Sequence, residues 1–247
     1  MKTAIIITSI IDVDNAFPLT YSEIRSFFSS QERLDQTINT VNCVDGMLRP
    51  NRIYLLDASC HFDYADSFAF QDNLSFFNVN KYFPEIHQEV VTHPHKSRCE
   101  CLILAAFMEK FSTELSQYDI IYKISGRYLI NTGISLPAET GKIWFKSPQQ
   151  FEWNDSWGLG YLDLRHLQKD NTLRQYSTVL FAWDTEHNNT MLDIFKKIAN
   201  TVIESGKSNS DMETLIYFFT RTMESFIIET NWCIYGWNGT NGNFIRY

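Results

Sequence analysis

The hydrophobic pattern of the first 60 residues predicts a strand, a helix and a second strand. A continuous β-branched run over Thr3–Ile11 is typical of a strand buried on both faces. The capping-box signature Ser29-x-x-Glu32 then opens a segment in which apolar residues recur at helical spacing, ending near Gly46. A further apolar run, Arg52–Asp57, completes a β-α-β unit, and such units bind ligands at the carboxyl ends of their strands.

A second capping box in the first 60 residues, Thr20-x-x-Glu23, indicates a helix start before the one at Ser29. The next 70 residues predict one full helix and two strands. Glu89–Thr92 is predicted as a short third strand. An amphipathic helix follows, with its apolar stripe between Leu104 and Leu115, and Asp119–Ile124 is the fourth strand.

The second half of the chain is mixed, and it predicts three strands and two helices. No internal repeat, Pro-rich or Ser-rich linker, or domain break is visible. We therefore predict one α/β domain over residues 1–247, with a Rossmann-like, mostly parallel central sheet flanked by helices. The predicted elements are the strands Lys142–Phe145, Gly160–Leu164 and Thr178–Trp183, the helix Met191–Ile203, and the helix Ser210–Ile228, which opens at a capping box Ser210-x-x-Glu213.

Composition and charge narrow the function classes. The formal net charge is −8 and no dense Lys/Arg run is present, which argues against a nonspecific nucleic-acid binder. Aromatic residues make up 15% of the chain, and such side chains stack on sugars and bases as well as filling a core. The apolar runs are too short to span a bilayer, and the five scattered cysteines form no disulfide framework. A cytoplasmic location is therefore expected.

Common nucleotide and catalytic motifs are missing from the sequence. There is no GxGxxG after the first strand, no Walker A loop and no serine nucleophile elbow. His93 and His95 could both face a metal ion, but no third ligand with suitable spacing is evident, so a polar turn is the favoured interpretation. What remains is the end of the fourth strand, DIIYKISGRYLIN, where a buried strand runs into a glycine, an arginine and a tyrosine.

Several segments of the chain carry a resemblance to a known family. They are the first strand AIIITSIID and the segments PLTYSEIRSFFSSQERLDQTINTV, YKISGRY and SDMETLIYFF. The chain resembles glycosyltransferases with the GT-A fold, and more narrowly a bacterial and viral group of polysaccharide or lipopolysaccharide glycosyltransferases. The resemblance implies a nucleotide-sugar-binding half, residues 1–132, and an acceptor-binding half, residues 133–247. It also implies transfer of a sugar to a glycan or lipid-linked acceptor in capsule, O-antigen or lipopolysaccharide synthesis.

The fourth strand departs from the usual metal motif of this family. Most members carry D-x-D there, which holds a divalent metal on the donor diphosphate, whereas this chain has Gly126, Arg127 and Tyr128. An arginine cannot bind a metal, but it can neutralise a phosphate through two parallel hydrogen bonds. A glycine N–H can point at an oxyanion. We therefore expect metal-independent donor binding and no cofactor. The alternative is that Arg127 forms a buried salt bridge and Tyr128 fills the core.

Other polar residues are expected to converge on the donor because they end strands or open helices. Asp57 closes the second strand and could accept a hydrogen bond from a ribose hydroxyl or a base. Lys96 and Ser97 precede a helix whose N-terminus offers free N–H groups and a positive dipole end. Taken alone, each is more often a solvated turn residue. The candidates for donor binding are Thr8, Ser9, Arg25, Arg33, Asp57, Lys96, Ser97, Gly126, Arg127 and Tyr128.

Transfer with inversion needs a general base that deprotonates the acceptor hydroxyl. The resemblance assigns this role to Glu213, with Asp211 next and then Asp155 or Asp163. The alternative is that Glu213 only stabilises the start of its helix. The acceptor is expected to stack on aromatic rings, and the candidates are Trp157, Tyr161 and Trp183, with Trp153 and Trp237 behind them.

Two other functions stay open from the sequence. A metal-dependent, retaining glycosyltransferase is one, because a sequence does not show on which face of the donor the acceptor lies. A non-catalytic carbohydrate-binding module is the other, although it would need no parallel-sheet nucleotide half and no cations at the strand ends. The expected partners are the nucleotide-sugar donor and the acceptor, and peripheral association with a membrane or with other enzymes is a further expectation.

Overall fold

A seven-stranded mixed sheet forms the centre of the computed structural model, which describes residues 1–131, 139–152, 172–205 and 211–246. The strands are β1 (Thr3–Ser9), β2 (Arg52–Asp57), β3 (Leu74–Asn78), β4 (Ile120–Ser125), β5 (Tyr128–Ile130), β6 (Ile143–Lys146), β7 (Gln149–Glu152), β8 (Thr172–Gln175), β9 (Leu180–Asp184), β10 (Ile227–Thr230), β11 (Ile234–Trp237) and β12 (Phe244–Arg246). The helices are α1 (Ser30–Leu48), α2 (Val79–Tyr82), α3 (Pro84–Thr92), α4 (Lys96–Lys110), α5 (Ser112–Leu115), α6 (Asn188–Ser205) and α7 (Met212–Thr220).

The central sheet has the order β10-β6-β9-β4-β1-β2-β3. Strand β9 is antiparallel to both of its neighbours, and the other four pairings are parallel. Strands β5, β11 and β12 form a small antiparallel sheet beside it, and β7 pairs with β8. The predicted fold class is therefore confirmed: an α/β fold with a mostly parallel central sheet flanked by helices.

Helices cover both faces of the sheet, which explains why its central strands are mostly apolar and almost completely buried. Ile5 and Ile7 of β1 pack with Val41 and Val44 of α1 on one face. Ile6 of β1 belongs to the opposite face, in the cluster that α4 and α6 cover. All seven residues of β1 are buried as a result, as expected for a strand between two helical layers.

Three predicted elements need correction. Glu89–Thr92 is part of helix α3, which begins with a proline at its first position, and the third strand is β3, in an aromatic segment where no strand was predicted. No helix begins at Thr20, because the chain there makes an isolated antiparallel bridge between Leu19 and Ser22. The capping box of Ser29 with α1, in contrast, is confirmed.

The last predicted helix is also shorter than its pattern suggested. Helix α7 ends at Thr220, a 3-10 helix follows, and the chain then joins the edge of the sheet as β10. Asp211 caps α7 by accepting a hydrogen bond from the Thr214 N–H, so Glu213 occupies the second helical position instead of the third. Ser210 and the predicted strand Gly160–Leu164 lie outside the described residues.

Candidate functional site

A cleft opens at the carboxyl ends of β1 and β4, the two strands in the middle of the sheet. The chain leaves β1 toward β2 and β3 on one side, and it adds β4 on the other side. This reversal is the switch point at which open α/β sheets bind their ligands. The cleft has a volume of about 110 Å³. Its polar lining consists of Thr8, Ser9, Arg25, Arg33, Lys96, Glu100, Ser125 and Arg127.

Four basic side chains line this cleft, and two of them are almost completely buried. Arg25 is 5% exposed and Arg33 is 4% exposed. Arg25 donates to the carbonyl oxygens of Phe17 and His93. Arg33 donates to the carbonyl oxygen of Ile10 and to the Ser26 hydroxyl. Neither guanidinium forms a salt bridge with a carboxylate anywhere in the described ranges, which is unusual because buried charges are normally paired.

Arg127 reaches the cleft because it lies in the turn between two sheets. Strand β4 ends at Ser125, and β5 begins at Tyr128 and pairs with β11 instead of continuing the central sheet. The Arg127 guanidinium lies against Gly239, where a Cβ atom would come within 3.0 Å of Cζ. Arg127 forms no salt bridge in the part of the chain that the structure describes, so the salt-bridge alternative finds no partner there.

Lys96, at the first position of α4, completes the positive cluster. Burial, together with the positive charge of three neighbouring arginines, lowers the pKa of Lys96 to about 6. Burial and nearby Arg127 likewise lower the pKa of Arg33. Both shifts have the same two causes: burial, which is the larger, and the repulsion between positive charges that lie close together. A bound anion would remove the repulsion, so the electrostatics of the cleft favour a negatively charged ligand.

One carboxylate, Glu100 on α4, also faces the cleft, and it is paired from below. Lys123 of β4 is completely buried, and its Nζ lies 2.5 Å from Glu100 Oε1. The same carboxylate oxygen accepts a hydrogen bond of 2.7 Å from the Thr8 hydroxyl. Burial alone would raise the pKa of Glu100, but Lys123 outweighs it and the pKa is lowered. Glu100 is therefore a neutralised part of the cleft floor, and the cleft remains cationic.

The predicted base Glu213 is joined to this floor by hydrogen bonds. Lys123 Nζ donates to the carbonyl oxygen of Thr178 at 2.8 Å, and the Thr178 hydroxyl donates to Glu213 Oε1 at 2.5 Å. Burial and the nearby charge of Asp211 raise the pKa of Glu213 to about 7. A carboxyl group with this pKa can accept a proton near neutral pH, as a general base must.

One further contact brings the start of α7 next to the cleft. The Ser97 hydroxyl accepts a hydrogen bond of 2.9 Å from the Met212 N–H, so the N-termini of α4 and α7 touch. Met212 precedes Glu213, and Ser97 follows Lys96 of the cleft lining. Glu213 therefore lies on the side of the cleft where α4 begins.

Some of the predicted donor residues serve the fold. Asp57 is completely buried and accepts hydrogen bonds from the Ile11 and Ser59 N–H groups, so it ties two strand ends together and does not reach a ribose. The N–H of Gly126 donates to the carbonyl oxygen of Thr8 at 2.9 Å, not to an oxyanion.

Gly126 and Tyr128 also have structural reasons for their identity. A glycine suits position 126 because a Cβ atom there would lie 3.1 Å from the Cβ of Ser9, so Ser9 would have to shift by a few tenths of an ångström. Tyr128 is buried in the apolar cluster under α1, which agrees with the alternative that it fills the core.

The aromatic candidates for the acceptor are only partly described. Trp183 is completely buried in β9, and its indole N–H donates to Asn188, so no ring face is open to a sugar and its predicted role is wrong. Trp237 is 39% exposed. Trp153, Trp157, Tyr161, Asp155 and Asp163 lie outside the described residues.

Sequence reasoning missed the polar network below the cleft. Lys123 carried the clearest signal, because a lysine inside the apolar strand IIYKIS can be buried only if acceptors surround it. Glu100 is half-buried on α4, between the buried Cys99 and Cys101. Thr178 and Ser125 had no distinguishing signal, since each is an ordinary polar residue beside a strand.

The described part of the chain contains neither a cluster of metal ligands nor a membrane-spanning helix. Within the described ranges, no three His, Cys, Asp or Glu side chains are grouped so that they could hold a metal ion. The rings of His93 and His95 are 5.4 Å apart, and burial lowers the pKa of both. Over the same ranges, no helix is long and apolar enough to cross a bilayer.

Comparison with known proteins provides no family assignment. No protein-family model matches the chain, and a search of curated proteins found no match either.

Proposed function

We propose that the protein is a glycosyltransferase that binds the phosphate groups of a nucleotide-sugar donor in the cationic cleft. The observation that supports this most strongly is the convergence of four basic side chains, two of them buried without a carboxylate partner, at the switch point of a mostly parallel sheet. The proposed reaction moves the sugar to a glycan or lipid-linked acceptor in surface polysaccharide synthesis, as the resemblance of the sequence implies.

The proposed chemistry assigns one role to Glu213 and another to the basic residues of the cleft. Glu213 removes the proton from the acceptor hydroxyl, and the resulting oxygen nucleophile attacks the anomeric carbon of the donor. The bond between that carbon and the phosphate oxygen breaks, and the electron pair leaves with the nucleotide phosphate. Arg127, Lys96 and the two buried arginines stabilise the charge that develops on this phosphate. The proton ends on Glu213, and the configuration of the sugar is inverted.

Direct stabilisation by cations takes the place of a metal in this proposal. Arg127 stands between Gly126 and Tyr128, the two positions at which most members of the resembled family have carboxylates, and it brings a permanent charge to the leaving phosphate. Nucleotide binding should therefore persist in EDTA. A requirement for Mn²⁺ or Mg²⁺ would instead support a metal-dependent enzyme.

A thermal-shift panel with UDP, GDP, CMP and dTDP, each with and without EDTA, tests the donor site. We expect at least one nucleotide to raise Tm equally in both conditions. Failure of all four would argue against an enzyme of this class and for a carbohydrate-binding module. The matching nucleotide sugar, radiolabelled in the sugar, then tests transfer, with Glu213→Gln binding the nucleotide normally but turning over none.

A further inference from the structure

Exposed apolar side chains concentrate in two short segments of the chain. Among the described residues, eleven large hydrophobic side chains are exposed, and six of them lie within residues 17–27 and 237–244. Such clustering marks an interaction surface, whereas apolar residues exposed singly need no explanation. We call this surface the aromatic shelf, and its members are Phe17, Tyr21, Ile24, Phe27, Trp237 and Phe244.

The two segments form one continuous surface. The Phe27 N–H donates to the carbonyl oxygen of Gly239 at 2.8 Å, which fixes the first segment to the second. Half-buried Phe28 contacts Trp237, with ring centroids 6.2 Å apart, and Trp237 contacts Phe244 at 4.9 Å. The rings therefore hold one another in place, and the shelf is a preformed surface.

The aromatic shelf is adjacent to the cationic cleft. Arg127 Nε lies 3.4 Å from the carbonyl oxygen of Trp237, and the guanidinium rests against Gly239 in the same segment. On the other side, buried Arg25 follows Ile24 and donates to the carbonyl oxygen of Phe17. A ligand on the shelf would thus extend toward the cleft.

The charge of the shelf differs from that of the whole chain. In residues 17–28 and 235–246 the exposed charges are those of Glu23 and Arg246, which cancel, because Arg25 is buried and lines the cleft. The complete chain has a net charge of −8. Arg127 of the neighbouring cleft adds a positive charge beside the neutral shelf, so the shelf is a face on which a negatively charged surface is not repelled.

We propose that the aromatic shelf docks on a lipid bilayer, with its apolar rings at the boundary between headgroups and acyl chains. Four of its six members, three phenylalanines and one isoleucine, have no polar atom in the side chain, so their insertion among acyl chains leaves no hydrogen-bonding group of theirs unsatisfied. Aromatic residues combined with nearby basic charge are the usual composition of a membrane-surface contact. In connection with the proposed function, this contact would bring a lipid-linked acceptor to the cleft.

Co-sedimentation with vesicles of phosphatidylcholine and phosphatidylglycerol in a 3:1 ratio tests this surface. We expect the wild-type protein to sediment with the vesicles. The double variant Phe27→Ser/Phe244→Ser should lower the partition coefficient by about a hundredfold, because each inserted phenylalanine contributes roughly a factor of ten. Both rings are exposed, so the variant should fold normally, and its thermal shift with nucleotide should equal that of the wild type.

Phe70→Ser is the matched control. Phe70 is 53% exposed, close to the 52% of Phe244. It precedes Asn73, which donates to the carbonyl oxygen of Pro50 at the amino end of β2, so Phe70 lies toward the other edge of the sheet. This variant should bind vesicles as the wild type does.

Three results would overturn the membrane proposal: no vesicle binding by the wild type, equal binding by the double variant, or equal loss in the Phe70→Ser control. Analytical ultracentrifugation adds another, a dimer that the double variant converts to monomer, because a second copy would then cover the shelf. Vesicle binding without any nucleotide response would contradict the proposed function and leave the shelf in place. A nucleotide response without vesicle binding would contradict the membrane proposal and leave the proposed function in place.

Discussion

Two groups of buried positive charge in this protein differ in what neutralises them. Arg98 on α4 is 6% exposed, and it lies 2.5 Å from the Glu89 carboxylate while donating also to the carbonyl oxygen of Ala199. Arg25 and Arg33 are buried to the same degree, yet their partners are carbonyl oxygens and a hydroxyl. Burial of a cation is therefore not a sign of function by itself. A buried cation that lacks a carboxylate, next to a cleft, is the informative case.

Breaking the Lys123–Glu100 pair should have the largest effect on stability. The pair lies below the cleft, but Lys123 resembles Arg98 in being a buried cation with a carboxylate partner. Lys123→Met leaves the Glu100 carboxylate without its partner, and we expect the free energy of unfolding to fall by about 4 kcal/mol. Urea unfolding measures the change. The double variant Lys123→Met/Glu100→Gln should recover most of the loss. A single variant as stable as the wild type would contradict the structural role of this pair.

Replacement of Arg98 and replacement of Arg127 should have opposite effects on stability and on nucleotide binding. Arg98→Met breaks a mostly buried pair and should lower the free energy of unfolding by about 2 kcal/mol, with normal nucleotide binding in the protein that remains folded. Arg127→Met breaks no salt bridge in the described residues and should change stability by less than about 0.5 kcal/mol, yet abolish the thermal shift by nucleotide.

Lys197→Met provides the control for this pair of variants. Lys197 is exposed and pairs only with Asp193 one helical turn away, so its loss changes the net charge equally without touching either cluster. It should leave both stability and nucleotide binding unchanged. If Arg127→Met destabilised the protein as Arg98→Met does, Arg127 would be a residue that stabilises the fold, like Arg98.

Glu213 should make stability depend on pH. Burial and Asp211 raise its pKa from 4.5 to about 7. Between these values the folded protein holds a proton that the unfolded chain has released, so the free energy of unfolding falls as pH rises through this window. Glu213→Gln removes the effect. The free energy of unfolding of the variant, relative to that of the wild type, should therefore rise between about pH 5 and pH 8 by on the order of 1 kcal/mol.

Urea unfolding at the two pH values measures this gain. Glu23→Gln, at an exposed carboxylate in the loop before α1, is the control and should show no such trend. A stability difference between Glu213→Gln and the wild type that does not vary with pH would mean that Glu213 has an ordinary pKa, and would weaken its assignment as the base.

The smallest expected effect concerns Lys96 and the pH dependence of nucleotide binding. Burial and the three arginines lower its pKa from 10.5 to about 6, so at neutral pH the protein must take up a proton when Lys96 becomes charged beside a phosphate. From about pH 6.5 to pH 8.5, the affinity of the wild type should therefore fall about threefold more than that of Lys96→Met. Isothermal titration at both pH values checks this; parallel pH profiles would show that Lys96 does not contact the phosphate.

Much of the fold followed from local patterns. The apolar run of β1 and the capping box of Ser29 led to the correct strand and helix, because the residues that form these elements lie next to one another in the chain. Strand β3 was missed and α3 was predicted as a strand, since short aromatic or β-branched runs suit either structure until the packing of the whole domain decides.

The candidate site was predictable only in part. Thr8, Ser9, Arg25, Lys96 and Arg127 converge as expected, because the carboxyl ends of parallel strands meet at one edge of a sheet. The side chains of Asp57 and Trp183 are buried instead, and no local pattern distinguishes a buried strand-end carboxylate or ring from an exposed one. The link between Glu213 and Lys123 through Thr178 spans strands distant in sequence, so only the folded chain reveals it.

The most direct test of the central claim is an isothermal titration of the wild-type protein and of Arg127→Met with the nucleotide that gives the largest thermal shift, in buffer containing EDTA. The cationic cleft predicts binding by the wild type with one nucleotide per chain, an affinity that added Mn²⁺ does not improve, and no measurable binding by Arg127→Met. Binding that requires Mn²⁺, or equal binding by the two proteins, would contradict the claim that Arg127 and its neighbours hold the donor phosphate.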